Sequence, residues 1–285
     1  PEHLRNDEEY MLNIVKQKPE ALQWIGPQLN NDKQFILKCM NEHEGRTLEH
    51  ASPKWRDDPD VVLAAIRNEE CEDENYVASA FRFASERLRS DQDFVTQCVK
   101  DKYWTLEHAS RHLKQDKDFV VSLMKVNGYA LEFVPRFQND RDVVMSAVKQ
   151  HGWSLCNVSH QLRSDKEVVF GAVTHYGCAL LHASNELQND EQIVLSAVKQ
   201  LSVSFYWASD SLKNNGDFIL KCIREVGASL LGAEWYGESA VPLEWKDDFN
   251  FMVRAVKLDQ ECFQYSSARL KNDAKFNRAI QALDK

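Results

Sequence analysis

Residues 140–164 read DRDVVMSAVKQHGWSLCNVSHQLRS, and the same phrase begins again at Asp165. Apolar residues fall at the third, fourth, seventh and eighth positions after the opening Asp140 (Val143, Val144, Ala147, Val148), which is the stripe of an amphipathic helix. Asp140 is its expected N-cap, because a carboxylate there accepts backbone N–H groups that the first helical turn leaves unpaired. Lys149 closes the run, as the negative end of a helix dipole favours. Gly152 comes next, as Gly128, Gly177 and Gly227 do in other copies, where a left-handed residue is expected to stop the helix. The remaining dozen residues carry a shorter apolar pattern, as in Leu106, Ala109 and Leu113, which reads as a second helix of about two turns. Six positions before the next anchor stands a turn residue or helix breaker: Ser110, Ser159, Ser184, Ser209, Ser267 or Pro242.

Working outward, an acid or amide preceded three residues earlier by a large apolar residue recurs eleven times. The pairs are Leu4/Asp7, Leu29/Asp32, Trp55/Asp58, Leu88/Asp91, Leu113/Asp116, Phe137/Asp140, Leu162/Asp165, Leu187/Asp190, Leu212/Asn215, Trp245/Asp248 and Leu270/Asp273. The steps are 25, 26, 33, 25, 24, 25, 25, 25, 33 and 25 residues. A step of this size means a stacked array in which each unit buries its apolar face against its neighbours. Tetratricopeptide and armadillo units are longer, and leucine-rich repeats need strand alternation where this chain has helical spacing. The expected fold is therefore all-α: an α-solenoid of about ten two-helix repeats, one continuous domain over residues 1–285 with insertions near 68–80 and 226–240. The chain opens at Pro1 inside a repeat and stops just after the helix that follows Asp273, so it reads as a processed chain or part of a longer protein.

The pattern N-D-x-x-V-V-x-x-A-V-K-x-x-G-x-x-L-x-x-A-S-x-x-L-x-N-D, clearest from Asn139 to Asp190, resembles the repeat of domain of unknown function 4116, a family of protist and bacterial proteins. The units spanning 58–91 and 215–248 depart from it by inserting about eight residues. The resemblance implies a helical array and carries no catalytic residues over to this chain.

Composition bounds the partners. A net charge of −9 and the lack of a long basic run disfavour a nucleic-acid backbone, whose binding needs a Lys/Arg surface. A basic protein partner is easier to accommodate. No apolar stretch approaches the ~18–20 residues needed to span a bilayer. Seven cysteines without a C-x-x-C pair suggest no disulfide framework, and a reducing intracellular compartment fits, with cytosol and organelle interior equally compatible. Cys39, Cys98 and Cys222 share the seventh position after an anchor, an apolar core slot.

Candidate chemistry is sparse. His50, His108 and His182 recur eight residues before an anchor, but Trp24, Phe83, Asn157, Trp207 and Tyr265 hold the same slot, which points to a flat, half-buried packing residue. Zinc-protease, nucleophile-elbow and phosphate-loop signatures are missing, so no catalytic residue, metal site or cofactor is expected. In Asp57/Asp58 and Asp247/Asp248 one carboxylate is expected to cap a helix and the other to be solvated.

The insertions are the expected places for function. The first holds Glu69, Glu70, Glu72, Asp73 and Glu74: a solvated loop, or a surface for a basic partner or a divalent cation. The second holds Trp235 and Tyr236 in a Gly-flanked loop, either to anchor a partner or to seal the widened gap between repeats. The function this suggests is non-catalytic, a protein–protein interaction scaffold or accessory subunit. The alternative is the repeat region of a larger multidomain enzyme, positioning a catalytic domain that lies elsewhere.

Overall fold

The structure is a computed structural model that describes residues 2–42, 46–69 and 79–283. The chain divides into two compact units, Pro1–Phe137 and Gln138–Lys285. The first holds the anchored helices α1 (Glu8–Gln17), α2 (Lys33–Asn41), α3 (Pro59–Arg67), α4 (Gln92–Asp101) and α5 (Lys117–Met124). The second holds α6 (Arg141–Gln150), α7 (Lys166–His175), α8 (Glu191–Gln200), α9 (Gly216–Val226), α10 (Phe249–Leu258) and α11 (Ala274–Gln281). Every anchor is the N-cap of one of these helices, its side chain accepting one or two backbone N–H groups of the first turn. Asp165, for example, takes Glu167 N at 2.9 Å and Val168 N at 3.1 Å. The apolar stripe then faces inward: Val168, Val169, Ala172 and Val173 are all fully buried.

The stretch expected as a second helix of two turns is two shorter elements. The first is a 3₁₀ segment, six residues long in Tyr103–His108, Gly152–Asn157, Gly177–His182, Ser202–Trp207 and Gln260–Tyr265. A single helical turn follows, such as Asn185–Gln188 or Ala268–Lys271, and carries the apolar residue that precedes the anchor. Long 3₁₀ runs are uncommon because their hydrogen bonds are poorly aligned. Here each run is backed by its neighbours: within each unit, successive anchored helices pack on one another and successive 3₁₀ segments form a second row.

The glycines also act differently from expectation. Of the glycines expected to stop helices, Gly227 alone ends its helix with a positive φ, of 69°. His151 and Tyr176, in extended conformation, end α6 and α7, and Gly152 and Gly177 then start the 3₁₀ segments. A Cβ on Gly152 would stand 2.3 Å from Ala172 O, and one on Gly177 would stand 2.5 Å from Ala197 O. These glycines let the next repeat's helix end approach the backbone.

Six positions before Asp91, Asp116, Asp165, Asp190, Asn215 and Asp273 stands a serine that is a cross-repeat clip. Its backbone N–H donates to the carbonyl two residues before the previous anchor: Ser85 to Arg56 O, Ser110 to Arg89 O, Ser159 to Gln138 O and Ser267 to Lys246 O at 2.8 Å, Ser209 to Gln188 O at 2.9 Å, and Ser184 to Arg163 O at 3.0 Å. Several of the hydroxyls reach the side chain one residue further on: Ser159 to Asn139 at 2.6 Å, Ser209 to Asn189 at 2.5 Å, Ser85 to Asp57 and Ser267 to Asp247. Pro242 occupies the clip position before Asp248 and has no N–H to give. There the indole Nε1–H of Trp245 donates instead to the equivalent carbonyl, Lys213 O, at 2.9 Å. Trp55 reaches Asn30 O in the same way at 2.8 Å.

Candidate partner-contact site

The second insertion is a β-hairpin, where a loop was expected. Strands β1 (Glu234–Trp235) and β2 (Glu238–Ser239) pair antiparallel in the register Glu234 with Ser239 and Trp235 with Glu238. The two turn residues, Tyr236 and Gly237, have φ of 49° and 84°. Positive φ at both positions is the turn whose twist matches the strands of a two-residue hairpin. β1 packs on the 3₁₀ segment Ser202–Trp207 of the preceding repeat. Tyr206 donates to Glu238 at 2.5 Å, and Lys246 Nζ donates to Ser239 Oγ at 2.7 Å.

This geometry gives the two aromatic residues different tasks. Trp235 lies edge-to-face on Trp207 with ring centroids 4.7 Å apart, so it folds back to cover the wider gap between repeats. Tyr236 stacks edge-on against Trp235 at 5.1 Å, yet is 93% exposed at the tip. Glu234 and Glu238 flank it, both exposed. The hairpin therefore presents one exposed ring backed by Trp235, with Glu234 exposed beside it and Glu238 bonded to Tyr206.

At the first insertion, Glu70, Glu72, Asp73 and Glu74 lie outside the described residues. Glu69 is described, and it departs from the expected exposed acidic run: it is 6% exposed. Its carboxylate accepts from Ser79 Oγ at 3.3 Å, from Ala80 N, and from Trp104 Nε1 at 2.9 Å, while its carbonyl takes Lys102 Nζ at 2.9 Å. Burial pushes the Glu69 carboxyl above the usual range, against the downward pull of those hydrogen bonds and of Lys102. Glu69 ties the two ends of the insertion together and is not available to a partner.

The histidine slot is the last residue of the 3₁₀ segment, and His50, His108 and His182 are half-buried there. The 24-residue step shortens one repeat after this point, so Phe133 fills the same slot seven residues before Asp140. His182 meets Trp153 edge-on at 4.8 Å, and His50 Nδ1 is 2.6 Å from Gln23 Nε2. Burial pushes the His108 imidazole down, and burial together with Arg163 does the same for His182. A shallow depression of about 390 Å³ is lined by His160, Arg163 and His182, but Arg163 spends its guanidinium on Val158 O and Cys156 O. Among the described residues, no group of three or more His, Cys, Asp or Glu converges as metal ligands would.

The paired carboxylates are also engaged. Asp57 and Asp247, expected to be solvated, accept from Ser85 and Arg87 and from Ser267 and Arg269. The Ser85 hydroxyl and then Arg87 hold Asp57 below the usual carboxylate range, and Arg269 and then Ser267 do so for Asp247. Cys39, Cys98 and Cys222 are fully buried in the slot expected for them, with thiols pushed up to about 12 by burial.

Capped helices and 3₁₀ turns recurring with the sequence period define an all-α repeat protein. The chain belongs to the family "Domain of unknown function (DUF4116)", which matches residues 32–71, 75–114, 116–163, 165–208 and 190–231. Searches of the curated proteins and of the solved structures return no match. No helix among the described residues is long and apolar enough to cross a membrane.

Proposed function

We propose that this chain is a non-catalytic protein–protein interaction scaffold or accessory subunit, built as a solenoid-type stack of repeats in each unit. The observation that carries the reading is Tyr236: a ring 93% exposed, on a turn backed by Trp235 and Trp207. A preorganised aromatic loses little entropy on binding and buries a large area, which is how hot-spot residues act. Glu234 and Glu238 beside it, with a net charge of −9, favour a basic partner segment. The six described cysteines are free and mostly buried, which supports a reducing compartment.

The test is photo-crosslinking from position 236 of the full-length protein in its native source, with position 170 as an exposed-aromatic comparison. A discrete adduct specific to position 236, weakened by Glu234→Gln with Glu238→Gln, is the expected result. The same diffuse adducts from both positions would remove the hairpin as a docking element.

A further inference from the structure

Within each unit, the seams between repeats use the two sides of an anchored helix in a fixed way. The third position after the anchor meets the repeat before it. Phe94 lies against Phe81 with centroids 6.1 Å apart, Phe218 against Phe205 at 6.3 Å, and Phe276 against Phe263 at 6.0 Å, and each partner stands ten residues before the anchor. The fourth position lies on the same side of the helix as the eighth, and the eighth serves the repeat after: a Cβ on Gly171 of α7 would stand 3.8 Å from Val148 Cγ2 of α6. In α11 the fourth and eighth are Asn277 and Gln281, half-buried and exposed, although Phe276 at the third position is fully buried. The nine helices from α2 to α10 bury apolar residues at all four positions.

The outer helix of the first unit, α1, is the reverse of α11. Met11 and Val15, its fourth and eighth positions, are 4% and 0% exposed, whereas Tyr10 at the third is 43% exposed and Ile14 at the seventh is half-buried. The charge pattern points the same way. At three seams the first residue of one anchored helix bonds the Oδ2 of the next anchor: Lys33 to Asp58 at 2.9 Å, Arg141 to Asp165 at 3.1 Å, and Lys166 to Asp190 at 2.6 Å. In α1, Asp7 caps Tyr10 N through Oδ1 and leaves Oδ2 as the equivalent acceptor.

We propose that the Tyr10–Ile14 face of α1 is a docking surface for a further helical repeat of this kind. The occupant carries apolar residues at its fourth and eighth helix positions, a base at its first, and an apolar 3₁₀ residue to cover the Tyr10 ring. Continuity with the interior seams sets this chemistry. A second copy of the chain, added head to tail, does not supply it, because α11 offers Asn277 and Gln281.

The experiment replaces Pro1–Asn6 by a copy of residues 140–164, joined directly to Asp7, with the copy bearing Val144→Asn and Val148→Gln as its control. Hydrogen exchange of the α1 amides and nitration of Tyr10 are the readouts. In the apolar fusion both should slow by about tenfold or more relative to the parent chain, as a new nearest-neighbour interface demands, and the polar-faced copy should leave both near parent values. Equal protection by both copies, or by neither, overturns the proposal. So does a parent chain that sediments as a dimer broken by Tyr10→Glu, since a second copy would then be the occupant.

Discussion

Replacing Trp245 by Phe tests the clip at the one seam where proline has removed the usual donor. The ring stack on Phe251, 5.0 Å between centroids, is kept. The indole N–H to Lys213 O, 2.9 Å in the native chain, is lost. Leaving that carbonyl without its donor costs about 1–3 kcal/mol. The far edge of the indole also lies over Gly216, where even a Cβ would stand 2.7 Å from Cη2 and Cζ3. Emptying that space on a half-buried ring adds about 1 kcal/mol, so the total is roughly 2–4 kcal/mol. Pro242 has φ −51° and ψ 137°, close to the −59° and 156° of the clip serine Ser267, so serine fits there without strain. Pro242→Ser should thus recover about 1 kcal/mol in the Trp245→Phe background and little in the native one, a coupling that a double-mutant cycle isolates. Native-state hydrogen exchange at α9 and α10 gives the local free energies. The reasoning is refuted if Trp245→Phe stays within about 0.5 kcal/mol of native, or if Pro242→Ser acts equally in both backgrounds.

Asp165→Ala should lose about 0.5–2 kcal/mol as a cap, read by thermal unfolding. Burial alone would raise the Asp165 carboxyl, but the Val168 N–H, Arg141 and the Glu167 N–H outweigh it and hold it low. Its stabilisation is therefore full above the unfolded pKa and lost as pH falls through the lower folded one, so an acid titration of the native chain should lose more than one of the variant. Glu69, raised by burial, has the opposite sign: its contribution falls as pH rises between its unfolded and folded values. Glu69→Gln removes the charge but turns an amide donor toward one of Ala80 N, Ser79 Oγ or Trp104 Nε1, and should cost about 1–3 kcal/mol in urea unfolding. Trp235→Ala should lower the melting temperature while Tyr236→Ala leaves it unchanged; equal losses would mean the tip ring is structural. His108 Nε2 is buried without a hydrogen-bond partner, so His108→Phe should be neutral or stabilising in the same unfolding assay.

The anchors, stripes and period were legible because capping and amphipathicity are local: Asp165 and Val168 stand three residues apart and explain each other. The 3₁₀ segments were not, since six residues with apolar positions three apart, such as Leu106 and Ala109, suit a 3.0 and a 3.6 period alike. Ser159 reads as a breaker because its partners, Gln138 O and Asn139, belong to the previous repeat. A signal did exist, in serines at the clip position paired with Asp57, Asn139, Asn189 or Asp247 just before the earlier anchor. Glu69 reads as part of an exposed acidic run for a similar reason: its neighbours in sequence are acids, but its environment is set by Trp104, 35 residues on. At the hairpin, Gly237 signals a turn, yet Tyr236 at positive φ is an uncommon choice that sequence alone does not suggest.

Among the described residues, the side-chain bonds between repeats reach only about one repeat along the chain, from 19 residues for Arg5–Trp24 to 37 for Arg254–Asp217. Loops this short close quickly and cheaply, so any repeat can serve as a folding nucleus and the rest can zip onto it. Loop-closure entropy grows only with the logarithm of length, and stretching one step from 25 to 33 residues adds roughly 0.25 kcal/mol. An array with this connectivity can gain an element such as the 234–239 hairpin at almost no thermodynamic expense, leaving the sequence of the new segment free to be shaped by what it touches.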